Sequence, residues 1–192
     1  MLVNKRIPTH KWAASYHTPD LMSLMLQTEE GPVQVINTYS AVPRGPQNGA
    51  APRTEIGMLP EVWDPRSETI LVGDFNLYHS MWGSQRVQRN DQAAHQLIQV
   101  VDGMNLRLAT PVGAVTWKNR RSEGTTIDLT FLSPGLFDCL VLCRPIDNKD
   151  EVEDHTALKT VLEWSSPQYT QYRWSWKETD PSQAAQGLHI PR

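Results

Sequence analysis

The run Thr69-Ile70-Leu71-Val72 is apolar apart from its first residue and stops abruptly in Gly73-Asp74-Phe75-Asn76. No other stretch constrains the fold as strongly. An apolar run closed by a glycine reads as a strand over 68–73, and its end delivers a carboxylate and a carboxamide to one edge of a sheet. Residues two apart on a strand point the same way, so Asp74 and Asn76 are expected to converge. Two later fragments reach similar strand boundaries: Thr126-Ile127-Asp128-Leu129-Thr130-Phe131 and Asp154-His155-Thr156-Ala157-Leu158. The three together place a common site at one sheet edge.

The flanking chain supplies the sheets. Residues 11–17 half-alternate and read as a strand. Segments 21–28 and 33–39 alternate and form a hairpin through the four residues Glu29, Glu30, Gly31 and Pro32. The Pro-, Gly- and Ala-rich stretch 41–53 is a loop, and 54–63 holds a helical turn or two, limited by Gly57 and Pro60. Asn90 or Asp91 is placed to cap a helix with Ala94, Leu97, Ile98, Val101 and Met104 at 3/4 spacing, and Gly103 to end it. Strands follow at 106–109, 114–117, 125–132, 139–144 and 156–163. Hairpins before the helix and strands after it predict an α/β (α+β) fold with two packed, mostly antiparallel sheets and helices outside.

At 192 residues, 39% apolar and 20% charged, the chain can bury a real core. Residues 1–164 read as one domain, and the Gln-, Ser- and Trp-rich 165–192 as a linker or disordered tail. No run approaches the ~20 apolar residues of a membrane span. Strand periodicity would put Cys139 and Cys143 on one face, as two reduced thiols or, less simply, as a disulfide or metal pair. An intracellular setting, nuclear or cytoplasmic, is the expectation.

The net charge of −3 differs from the basic surplus usual in nucleic-acid binders. Its distribution matters more. Arg44 and Arg53 follow the strand ending at Tyr39, Arg86 and Arg89 follow Gly-Asp-Phe-Asn, and Lys118, Arg120 and Arg121 precede the Asp128 strand. They read either as a phosphate-facing rim or as a scattered solvated surface. Trp117 reads either as a base-stacking element or as core.

Phosphodiester hydrolysis needs an oriented water, counter-charge on the non-bridging oxygens, and help for the leaving oxyanion. Each need has a candidate here. Asp154 suits a hard cation such as Mg²⁺, which is held by one or two carboxylates and keeps several waters. His155 can contact phosphate if a carboxylate such as Asp128 orients it. Asp74 can position the water, and Asn76 can donate to the phosphate.

In this order the fragments resemble the endonuclease/exonuclease/phosphatase family. More narrowly, Val3-Asn4-Lys5-Arg6-Ile7-Pro8, Ser23-Leu24-Met25-Leu26, His79-Ser80-Met81-Trp82-Gly83 and Arg173-Trp174-Ser175-Trp176-Lys177 resemble the endonuclease domains of non-LTR retrotransposons, particularly fungal ones. The likeness spans residues 1–177. It implies a four-layer, DNase I-like sandwich acting on DNA with Mg²⁺ or Mn²⁺, in elements that also encode a reverse transcriptase.

By position, Asp74 would orient the nucleophilic water and Asn76 contact the phosphate. Asp128 would pair with His155, His155 would stabilise the scissile phosphate, and Asp154 would serve the metal. Tyr39 matches a strand-end tyrosine that contacts phosphate, with Ser40 standing where the family has asparagine. The resemblance also implies an amino-terminal third with a Gln-Glu-Pro-type strand bearing the chief metal-ligand glutamate. Nothing before Tyr39 matches it, so the expectation is an incomplete domain with impaired nicking. The alternatives are a non-catalytic remnant that binds nucleic acid and a small-molecule phosphatase of the same superfamily. His79 and Trp82 read as loop packing.

Overall fold

Short alternating segments pair with their neighbours, and those pairings build most of the molecule. The computed structural model describes residues 1–42, 53–118, 124–146 and 154–164, without the side chain of Arg86. Strands β1 (Trp12–Thr18), β2 (Leu21–Thr28) and β3 (Gly31–Tyr39) form an antiparallel meander. The β2–β3 connection is two residues, Glu29 and Glu30, rather than four. Gly31, at φ 124°, already pairs with Thr28, and Pro32 with Gln27. Proline is tolerated there because β3 takes up its second neighbour only from Val33 onward.

Helix α1 (Thr54–Val62) returns the chain to β4 (Glu68–Asp74), which lies parallel to β3. Pro60 sits in the last turn of α1. The short turn α2 (Ser80–Gly83) and helix α3 (Ala94–Gly103) follow, then β5 (Arg107–Leu108) and β6 (Asp128–Leu132). These strands make one six-stranded sheet in the order β1-β2-β3-β4-β6-β5, in which β3–β4 is the parallel pair. Helix α4 (Pro134–Asp138) leads into β7 (Leu140–Pro145), which pairs with β8 (Leu158–Leu162) as a second sheet.

The two faces of the large sheet are buried differently. On one, α1 and α3 set Ile56, Leu59, Leu97 and Val101 against Ile36, Leu71, Phe75 and Phe131. Phe75 meets Phe131 edge-on at 5.9 Å, a favoured aromatic geometry. On the other, Val33 and Leu132 pack with Leu136 and Cys143 beneath the small sheet. The expected mixed fold, two mostly antiparallel sheets with helices, is what forms. Among the described residues no helix is long and apolar enough to cross a membrane. The proposed tail, 165–192, lies outside the described residues.

Three local expectations change. The start of α3 takes no side-chain cap, because Asn90 Oδ1 accepts from Ser80 N and Asp91 Oδ2 from Tyr78 N, tying the preceding loop instead. Helix α3 ends at Gly103 as expected, but the left-handed closing residue is Asn105 at φ 52°, with Leu106 N donating to Val101 O and Asn105 N to Asp102 O. That is a Schellman closure with asparagine in the left-handed position. Cys139 ends α4 rather than sharing a strand face with Cys143, because Pro134 opens a helical turn there. Both thiols are free.

Candidate active site

Strand register carries three side chains to one edge. Tyr39 pairs with Asp74 and Asp74 with Asp128, so the ends of β3, β4 and β6 stand in one row. Gly73 makes this close approach possible: a Cβ there would lie 1.9 Å from Thr38 O.

Asn76 converges on Asp74, though not by strand periodicity. The strand ends at Asp74, and Asn76 turns into the left-handed region at φ 48°, which asparagine tolerates. Its backbone N donates to Asp74 Oδ1 at 3.1 Å, and its side-chain amide to Asp74 Oδ2 at 2.9 Å and to Ser40 O at 3.2 Å. One carboxamide thus ties the Asp74 carboxylate to the chain after Tyr39.

His155 closes the group. Its Nδ1 lies 3.0 Å from Asp128 Oδ2, and its Nε2 lies 4.0 Å from Asp74 Oδ2. The imidazole therefore spans two carboxylates and stays open to solvent on one side. Burial, together with the neighbouring Asp128 charge, pushes the Asp74 carboxyl above the usual carboxylate range. The Asn76 hydrogen bonds and His155 offset part of that rise.

Two residues without a distinctive sequence signal hold this arrangement. Buried Thr116 accepts at Oγ1 from both Ile127 N and Asp128 N at 3.0 Å, and its carbonyl accepts from Thr156 N at 2.7 Å. It thereby fixes the residues beside both Asp128 and His155. Arg53, read from sequence as part of either a phosphate-facing rim or a scattered solvated surface, is instead 2% exposed, and its Nη2 donates to Asn76 O.

The remaining candidates are spread more widely. Asp154 accepts the Trp117 indole N–H at Oδ2 (3.1 Å), and its carbonyl accepts from Lys118 N. Trp117 bridges both Thr125 and His155 through its backbone, which orders the segment beside the imidazole. Lys118 and Arg89 are exposed. Arg89 lines a groove of about 300 Å³ with Tyr78, Val87, Thr125 and Thr126. Arg44, Arg120 and Arg121 lie outside the described residues, as does the side chain of Arg86. His79 and Trp82 are packing residues: His79 accepts from Met81 N, and fully buried Trp82 donates to Leu77 O.

The group of Asp74, Asp128 and His155 offers ligand atoms within 4.8 Å of one another. Its hard carboxylate oxygens suit a divalent cation, and the raised Asp74 carboxyl marks a place where added positive charge would relieve repulsion. No glutamate joins the group among the described residues. Glu68 is hydrogen-bonded by Ser133 at the far end of β4, Glu55 and Glu61 lie on α1, and Glu29 and Glu30 form the β2–β3 turn.

A carboxylate and imidazole cluster at the rim of such a sheet pair defines a class, the endonuclease/exonuclease/phosphatase proteins, whose fold this chain has. Within that class, the family model described as "Endonuclease-reverse transcriptase" matches residues 33–159, and the chain belongs to that family. Among solved structures, the endonuclease domain of TRAS1, a telomere-specific non-LTR retrotransposon, superposes with a TM-score of 0.61 at 17% identity, covering 81% of this chain and 70% of that one. A 3′-5′ exonuclease (NExo) from Neisseria meningitidis gives 0.58 at 17% identity, covering 79% and 71%. No curated protein shows a significant sequence match.

Proposed function

We propose that the chain is a divalent-metal-dependent phosphodiesterase of the retrotransposon-endonuclease type, nicking DNA by attack of water on a phosphate. The observation that carries this reading is the one imidazole held between Asp128 and Asp74 beside the Asn76 amide. Asp74 accepts the water's proton as the oxygen bonds phosphorus and the bond to the leaving oxygen breaks. Its raised pKa makes it a better base than an ordinary aspartate. Asn76 and the Nε2 edge of His155 face the phosphate oxygens, and Asp128 fixes the ring by accepting at Nδ1. Tyr39, in the same row, bounds the phosphate site. Lys118 and Arg89 are proposed to meet flanking phosphates, with Arg44, Arg86, Arg120 and Arg121 extending the rim, and Trp117 to sit beside the bases.

The proposed metal carboxylate is Asp154. Bound there, Mg²⁺ or Mn²⁺ would supply counter-charge to the phosphate and the leaving oxygen. Asp154 lies outside the group of three, and Asp128 is already committed to His155. The ion is therefore held loosely, because Mg²⁺ releases its waters reluctantly and needs charged anchors. Nicking is accordingly weak, with millimolar metal required. The TRAS1 domain is a retrotransposon's endonuclease domain, and NExo has been solved bound to a product DNA hairpin; DNA is the substrate we infer from that likeness.

The same shortage of carboxylates favours a second reading, a nucleic-acid-binding protein without catalysis. Supercoiled plasmid, offered beside small phosphate monoesters, separates the readings. Metal-dependent nicking without ester hydrolysis supports the endonuclease. Ester hydrolysis alone would make it a phosphatase. Salt-sensitive DNA binding without cleavage at any metal concentration supports the remnant.

A further inference from the structure

Arg53 is the most deeply buried charge near the site, yet it touches none of the reacting groups. Its Nη1 donates to Ala41 O at 2.7 Å and its Nη2 to Asn76 O at 3.4 Å. Its own backbone is gripped on both sides by one side chain of α3: Arg53 N donates to Gln96 Oε1 at 2.8 Å, and Gln96 Nε2 donates to Arg53 O at 3.1 Å. Burial lowers its pKa, while Asp91 and Glu55 hold it up, and an arginine stays cationic under such opposing influences. Its Nε has no partner among the described residues.

The two carbonyls that Arg53 joins have one thing in common. Ala41 lies two residues after Tyr39, and Asn76 is the left-handed residue whose amide holds Asp74. We propose that Arg53 is a positioning residue, its guanidinium fork clamping the chain after Tyr39 to the Gly-Asp-Phe-Asn turn. In this way Asn76 and Asp74 keep one orientation. A second link runs parallel to it, from the Asn76 amide to Ser40 O. The fork is needed because two carbonyls on different segments must be reached at once. Lysine, a point donor on a flexible stem, does not span them in a fixed geometry. The inference rests on reading this edge as a phosphodiesterase centre.

The test compares wild type, Arg53→Lys, Arg53→Ala and Gln96→Ala in plasmid nicking with Mg²⁺, and follows hydrogen exchange of the Asn76 side-chain amide by NMR without metal. For Arg53→Ala, kcat falls about 10–100-fold, as a misplaced catalytic group does, with KM within about twofold. Millimolar guanidinium restores the rate and urea does not. Arg53→Lys falls between. The Asn76 side-chain amide exchanges faster in Arg53→Ala, because its bonds to Asp74 and to Ser40 O loosen, and guanidinium slows it again. If Arg53→Ala fails to fold, Arg53→Lys and Gln96→Ala show the same directions at smaller size. Wild-type rates with unchanged Asn76 exchange would overturn the proposal, as would a loss that guanidinium leaves unrelieved. If wild type does not nick, the functional reading fails, and the Asn76 exchange still decides whether the clamp exists.

Discussion

Asp74 shows how far a single residue's role can be read ahead of structure. Its place at a strand end was legible because an apolar run followed by Gly-Asp has few alternatives, and its pairing partners followed from the resemblance. The reason Asn76 meets it was not legible: the contact comes from a left-handed turn, which period-2 counting does not describe. Thr116 and Arg53 were illegible for another reason: sequence periodicity placed Thr116 on a strand at 114–117 and left Arg53 in a loop, whereas both side chains bond backbone groups 11–23 residues away.

Asp74 carries a prediction with a definite sign. Because its folded pKa is raised, its contribution to stability is fully present below the ordinary carboxylate pKa of about 3.9 and is lost as pH rises through the raised value. Ionised Asp74 is therefore a net burden at neutral pH. In metal-free buffer the stability of wild type relative to Asp74→Asn therefore declines as pH rises from about 3.9 through the raised value, while Asp74→Asn abolishes nicking. A Tm difference between the two that stays constant with pH in calorimetry would contradict it. The acid limb of nicking activity lies above the ordinary carboxylate range for the same reason. Thr116→Val preserves shape but leaves two buried N–H groups without their acceptor. A loss of about 2 kcal/mol is expected in urea unfolding, and an unchanged midpoint would remove Thr116 from its positioning role.

Among the elements, the β3–β4 pair and α3 make contrasting cases. The parallel pairing of β3 with β4 sets Tyr39 beside Asp74, and it depends on Gly73. Gly73→Ala pushes a methyl into Thr38 O and parts the strands at the site, destabilising by about 1–3 kcal/mol as overpacking does. Unaltered thermal unfolding and nicking would refute the close approach. The α3 helix was legible in its interior, where Leu97 and Val101 face the core, and in its last residue, Gly103, but not in its caps. Asn90 and Asp91 are plausible caps by type, and tertiary ties to Ser80 and Tyr78 claim them instead. At the other end, Asn105→Ala removes the short polar side chain that lets asparagine tolerate φ 52° and destabilises by ~1 kcal/mol, whereas Asn105→Gly does not. Equal melting of the two variants would contradict the Schellman closure.

At the scale of the whole molecule, two sheets and a helix layer bring segments 39, 74–76, 128 and 155 to one rim although more than a hundred residues separate the first from the last. The overall class was legible because three fragments each sat at a strand boundary. The strand order and the parallel β3–β4 pair came only from packing, which alternation leaves open. The most direct measurement of the central claim is the rate of supercoiled-plasmid nicking against MgCl₂ concentration, for wild type beside Asp74→Ala and His155→Ala. The predicted result is slow nicking that rises through the millimolar range and vanishes in both variants. Nicking without metal, or nicking that survives either substitution, would contradict it.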